Sequence, residues 1–192
     1  MKRLYIIHRW DGTPSADWYV WLKKFAEKLN FQVEILKMPH PKIPTIGSWT
    51  DTLRKNIKLD KETYLIGHSI GNQTILRFLA NEESKIGGVF LVAPWVKLKN
   101  ISFLEKIIAR PWLTKKVGWQ KARAATENYV AVFSDDDPSV SMENAEVFAE
   151  KLDAKIIKVK NKGHLTAREG VRDLEFLKKD LLKFLGEKNE IT

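Results

Sequence analysis

Residues 64–71 read Tyr64-Leu65-Ile66-Gly67-His68-Ser69-Ile70-Gly71, a short apolar run that breaks into a glycine-bracketed serine. The stretch after it, residues 70–80, carries the apolar spacing of a helix, so Ser69 falls on a tight strand-to-helix turn. A turn of this kind brings helix and strand so close that the flanking positions, Gly67 and Gly71, have no room for a side chain. It projects the serine hydroxyl clear of the backbone at the C-terminal edge of a sheet. The unpaired N–H groups of the helix N-terminus then favour negative charge developing beside it. With 10 glycines in 192 residues, Gly-x-Ser-x-Gly should arise by chance roughly 0.02 times before the strand–turn–helix context is counted. The plainer alternative is a serine that only caps the helix.

The alternation of strand and helix extends in both directions. Short apolar runs at residues 4–7, 33–36, 64–66, 89–92, 129–133 and 156–159 predict six strands. Helical periodicity occupies residues 16–29, 50–58, 70–80, 142–152 and 171–185, with Gly186 standing where a C-terminal cap belongs. Parallel strands need long crossovers and helices supply them. The expected fold is therefore an α/β doubly wound sheet of six mostly parallel strands, in the order 2-1-3-4-5-6. Helices cover both faces, and a single domain spans residues 1–192. Residues 95–128 break the rhythm, with Trp95, Phe103, Trp112 and Trp119 among lysines and arginines. They fit a small lid over a site or a decorated helical crossover equally well.

Composition narrows the chemistry. Hydrophobic residues make up 44% and charged residues 30% of the chain, ordinary globular usage that excludes a disordered or fibrous protein. The absence of cysteine excludes disulfides, a thiol nucleophile and cysteine-ligated metal. The four scattered histidines argue against a histidine-only metal site. A net charge of +9 could signal nucleic acid, an anionic membrane surface or an acidic substrate. The lysines are dispersed among acids, however, and no nucleic-acid motif accompanies them, so a solvated basic surface is the reading adopted. No export signal and no long apolar stretch are present. The expectation is a cytoplasmic protein with no nucleic-acid or membrane partner.

A serine hydroxyl needs a base to take its proton and a third group to hold that base. His164, in the loop after the sixth predicted strand, suits the role. His8, His40 and His68 are expected to be structural. The acid lies in Ser134-Asp135-Asp136-Asp137-Pro138, after the fifth predicted strand. Asp137 is preferred because Pro138 keeps it extended, with Asp136 as the alternative. All three members would leave one edge of the sheet in the chain order Ser, Asp, His of alpha/beta-hydrolases. The backbone N–H groups of Ile70 and Trp10 are the expected oxyanion donors, because loops after the first and third strands meet where the strand order reverses.

Ile6-Ile7-His8-Arg9-Trp10, Trp18-Tyr19-Val20-Trp21-Leu22, Met38-Pro39-His40-Pro41, Gly67–Gly71, Asp136-Asp137-Pro138 and Gly163-His164 together resemble the serine hydrolase family of retinoblastoma-binding protein 9 and bacterial YdeN. The resemblance covers almost the whole chain in order. It implies a compact alpha/beta-hydrolase, a triad carried onto Ser69, Asp137 and His164, esterase-like activity and no cofactor. Two positions depart from the family pattern. Arg9 stands where a glycine usually follows the histidine after strand one, and Val140-Ser141 replaces a Val-Pro pair. The expected function is hydrolysis of small acyl esters or amides through an acyl-enzyme, with thioesterase or acyltransferase as variants of the same chemistry. The rival is a non-catalytic binding protein using a basic, Trp-rich surface, and Arg9 is the feature that most favours it. No protein partner can be named.

Overall fold

Branched and aromatic residues dominate the predicted strands, and in the computed structural model, which describes residues 1–186, they build one six-stranded sheet. The strands are β1 (Arg3–Ile7), β2 (Gln32–Leu36), β3 (Thr63–His68), β4 (Gly88–Val92), β5 (Tyr129–Ser134) and β6 (Lys155–Val159). Every pairing is parallel and the order is β2-β1-β3-β4-β5-β6. Residues 187–192, the tail of the expected single domain, lie outside the described residues.

Register shows why the strands read as continuous apolar runs. Tyr5, Leu65, Val89 and Tyr129 align across four strands and pack into one core. The next row, Ile6, Ile66, Phe90 and Val130, points into the other. Both faces are buried, as a parallel sheet requires. Helices α1 (Tyr19–Glu27) and α7 (Lys178–Phe184) cover one face. The opposite face carries α2 (Ile46–Asn56), α3 (Ile70–Leu79), α5 (Trp119–Ala124) and α6 (Glu143–Leu152), together with the Trp112 end of α4 (Phe103–Thr114).

Three helix boundaries differ from the periodicity. Helix α1 begins at Tyr19 rather than 16, because Asp17 takes the left-handed conformation (φ 52°) and turns its carboxylate to tertiary partners. Helix α2 begins a turn early, where the Thr45 hydroxyl accepts the Ser48 N–H. The last helix is the largest correction. Val171 and Leu174 are buried, yet they precede a 3-10 turn (Glu175–Leu177), and α7 starts only at Lys178. The Asp173 carboxylate accepts the Glu175 N–H at 3.2 Å, a local bond that competes with helix propagation. Gly186 does end α7 with a positive φ of 75°. Residues 95–128 contain α4 and α5, and among the described residues no helix is long and apolar enough to cross a membrane.

Candidate active site

Ser69 stands between the end of β3 and the first residue of α3, with φ 53° and ψ −116°. A non-glycine residue in that region is strained and persists only where its surroundings impose it. They do so here. The Ser69 N–H donates to Val92 O at 2.9 Å at the end of β4. A Cβ on Gly67 would meet the Asn72 N at 2.9 Å, and one on Gly71 would meet the His8 carbonyl at the same distance. The two glycines therefore let α3 sit hard against both β3 and the end of β1.

His164 leaves the sheet three strands away, in the loop after β6, between two residues of positive φ, Gly163 (51°) and Leu165 (56°). Its Nδ1 lies 2.7 Å from Asp137 Oδ2. The other carboxylate oxygen of Asp137 accepts the N–H groups of Ser139 (2.8 Å) and Val140 (2.9 Å), which fixes the carboxylate plane. Asp136, the alternative acid, faces elsewhere. Its Oδ1 takes the Ser134 hydroxyl at 2.6 Å and the Gly163 N–H at 2.8 Å, and these bonds hold its carboxyl below the ordinary range. Asp136 thus anchors the histidine loop. Asp135 accepts the Asn161 N–H in the same loop at 2.9 Å.

Ser69 and His164 both line a cavity of about 540 Å³. No hydrogen bond joins them among the described residues. Trp10 lines the same cavity. The Arg9 N–H is taken by the Tyr19 hydroxyl at 3.1 Å. Among the described residues the backbone N–H groups of Trp10 and Ile70 have no partner. Trp95, Leu98, Ile101, Leu104 and Ile108 give the cavity an apolar wall, so residues 95–108 form one side of it. Among the described residues no cluster of His, Asp and Glu side chains could hold a metal ion.

The remaining histidines brace the loops. His8 is buried, and its Nε2 accepts the Met38 N–H at 3.2 Å while Nδ1 donates to Arg9 O at 2.8 Å. Burial lowers its pKa. His40 is exposed in the proline-rich loop, which Trp10 ties down through its Nε1 donating to Lys42 O at 3.0 Å. His68 is wholly buried, and burial, reinforced by the adjacent His164 ring, lowers it to about 3. The imidazole is therefore neutral, and its partners fix the tautomer. Nε2–H donates to the His164 carbonyl (2.9 Å) and Nδ1 accepts from the Tyr19 hydroxyl (2.7 Å).

One group escaped the sequence reading. The segment Asp17-Trp18-Tyr19 ties the loop after β1 to the loop after β6. Asp17 accepts from Arg9 Nε and from the Ala167 N–H, each at 2.8 Å, and Trp18 Nε1 donates to Leu165 O at 3.0 Å. Burial alone would raise the Asp17 pKa, but the Ala167 N–H, His68 and Arg9 hold it below the ordinary range. Arg9 is thus paired in a largely buried site rather than offered to solvent. The available signal was an aspartate directly before an aromatic helix start, which reads as an ordinary cap.

Comparison with known proteins agrees with this architecture. A family model described as serine hydrolase matches residues 4–183. The hydrolase YdeN of Bacillus subtilis (strain 168) is 31% identical over 177 residues, covering 90% of each chain. The serine hydrolase RBBP9 of Rattus norvegicus is 26% identical over 155 residues, covering 79% of this chain and 80% of that one. The crystal structure of the B. subtilis ydeN gene product superposes with a TM-score of 0.88 at 29% identity, over 97% of this chain and 100% of that one.

Proposed function

Because the chain belongs to the serine hydrolase family and has the alpha/beta-hydrolase fold, we propose that it hydrolyses small acyl esters or amides with Ser69, His164 and Asp137 as its triad. The observation that carries this reading is the His164–Asp137 pairing at 2.7 Å, on a cavity that a positive-φ serine also lines. Ser69 Oγ attacks the acyl carbon as His164 Nε2 takes the hydroxyl proton. Asp137 keeps the imidazole in the tautomer with Nδ1 protonated and stabilises the cation. The oxyanion is met by the N–H groups of Ile70 and Trp10. Collapse expels the alcohol or amine, which leaves with the proton from His164. Water then attacks the acyl-enzyme by the same steps in reverse, releasing the acid and restoring Ser69.

The apolar wall of residues 95–108 favours an aliphatic or aromatic acyl group, that is, a carboxylesterase. The rival reading, a binding protein without catalysis, rested on Arg9, and the pairing of that residue with Asp17 removes its main support. No cofactor enters the reaction, and the enzyme is assigned to the cytoplasm. A fluorophosphonate probe tests the chemistry. The folded protein should be labelled at Ser69, and Ser69→Ala should not react. A folded protein that stays unlabelled, or is labelled on another serine, would sink the reading. A panel of esters of increasing acyl length, with and without alcohol acceptors, then separates esterase from acyltransferase.

A further inference from the structure

Helix α4 turns its apolar side outward. Phe103 is 80% exposed, Leu104 65% and Ile107 53%. Phe103, Ile107 and Pro111 recur every four residues, so they form one stripe, with Leu104 beside it. The opposite side, Ala109 and Trp112, is buried. Isolated exposed leucines are ordinary in soluble proteins, but three large apolar side chains within two turns are a patch.

The patch is rimmed by cations. Lys106 and Arg110 run along its flank, and the exposed Lys97 and Lys99 precede it. Residues 95–128 carry eight Lys or Arg against only Glu105 and Glu127. The far end of the helix is pinned, so the patch is held out from the body. Arg77 Nη2 donates to Trp112 O and Lys115 O at 2.8 Å, and Trp112 Nε1 donates to Pro44 O at 3.1 Å.

We propose that the exposed Phe103–Ile107 face of α4, with its basic rim, docks this protein in the plane of an anionic lipid surface. A basic amphipathic helix with a bulky apolar face lies at the headgroup boundary, burying the apolar side while Lys and Arg meet lipid phosphates. At 12 residues, α4 is about 18 Å long and far too short to span. This is a surface contact, compatible with the absence of a spanning helix noted above. A symmetric contact with a second copy would oppose Lys106 and Arg110 to their own counterparts. Nucleic acid would satisfy the cations but leave the apolar stripe wet. Only an anionic lipid surface matches both. Leu104 and Ile108 also line the cavity. If the proposed esterase reading holds, an acyl chain passes from bilayer to Ser69 along apolar surface.

Vesicle sedimentation tests this. The full chain should bind vesicles of equal phosphatidylglycerol and phosphatidylcholine, bind pure phosphatidylcholine weakly, and be released by high salt. The double variant Phe103→Ser/Ile107→Ser should lose binding by at least about tenfold while unfolding at the wild-type temperature. Lys106→Glu/Arg110→Glu should lose the salt-sensitive part. Ser69→Ala should bind like wild type, so failure of the triad reading leaves this outcome intact. The proposal is overturned if anionic vesicles do not bind, if folded variants bind as wild type does, or if the patch instead mediates a concentration-dependent dimer that the double variant abolishes.

Discussion

Asp17 is where the loops of the candidate site are joined. Its two oxygens hold Arg9 of the loop after β1 and the Ala167 N–H of the loop after β6, and Tyr19, two residues on, bonds both Arg9 N and His68. Arg9 lines the cavity beside Ser69, but Asp17, Tyr19 and His68 do not, so the effect of those three is on position. Asp17→Asn keeps the shape but turns one amide hydrogen pair toward the buried Arg9 cation. Stability should fall by about 2–3 kcal/mol, since breaking one side of a buried ion pair leaves a charge uncompensated. Ester turnover should drop about tenfold in kcat with KM nearly unchanged, because the loss is of alignment rather than of substrate contact. Steady-state kinetics with a short soluble ester checks the split. An equal rise in KM would mean that Arg9 or Asp17 binds substrate directly. The sequence made Ser69, His164 and the Asp135–Asp137 run legible because each follows a predicted strand. It did not make Asp17 legible, since its partners lie 8 and 150 residues away.

Among the elements, α4 depends on a partner that periodicity does not reveal. Arg77 is buried in α3 with no carboxylate beside it among the described residues; it is bonded to Gln73 and to the last carbonyls of α4. Burial lowers it to about 10, so it remains charged at neutral pH and complements the negative end of the helix dipole. Arg77→Met removes these bonds while keeping much of the stem packing. It should cost on the order of 1–3 kcal/mol by leaving buried carbonyls unpaired. Hydrogen exchange should quicken in residues 103–115 while β3 and β4 stay protected, and uniform loss of protection would show that α4 is part of the global core instead. The misread final helix has the same origin. Val171 and Leu174 keep helical spacing with the residues after them, but Asp173 and the core take them one by one.

At the scale of the molecule, the buried histidines set an acid limit. A His whose folded pKa lies below its unfolded value of about 6.5 contributes stability fully above that pH. The contribution shrinks as pH falls, because the unfolded chain takes up a proton that the folded one refuses. For His68, lowered to about 3, the loss runs from about pH 6.5 down to pH 3, at up to roughly 1.4 kcal/mol per pH unit. His8 shifts in the same sense and adds to the loss below about pH 6.5, whereas Asp17, lowered from 3.8, adds to it only in stronger acid. Urea unfolding at pH 7 and pH 4.5 should show a marked drop for wild type and a smaller one for His68→Gln, which can still meet Tyr19 and the His164 carbonyl. Equal drops would place the acid sensitivity elsewhere. The apolar runs, the glycines of the Ser69 turn and the helical spacing were enough to determine six mostly parallel strands with helices on both faces, because burial on both faces and crossover connection are properties of local pattern, while the strand order followed from the fold class. Only the tertiary structure decided that Asp136 turns away to anchor the histidine loop, that Arg9 is paired with Asp17, and that α4 faces outward. Those outcomes depend on which side chains meet across long separations, where a hydrogen bond or a buried charge selects among orientations that the sequence leaves equivalent.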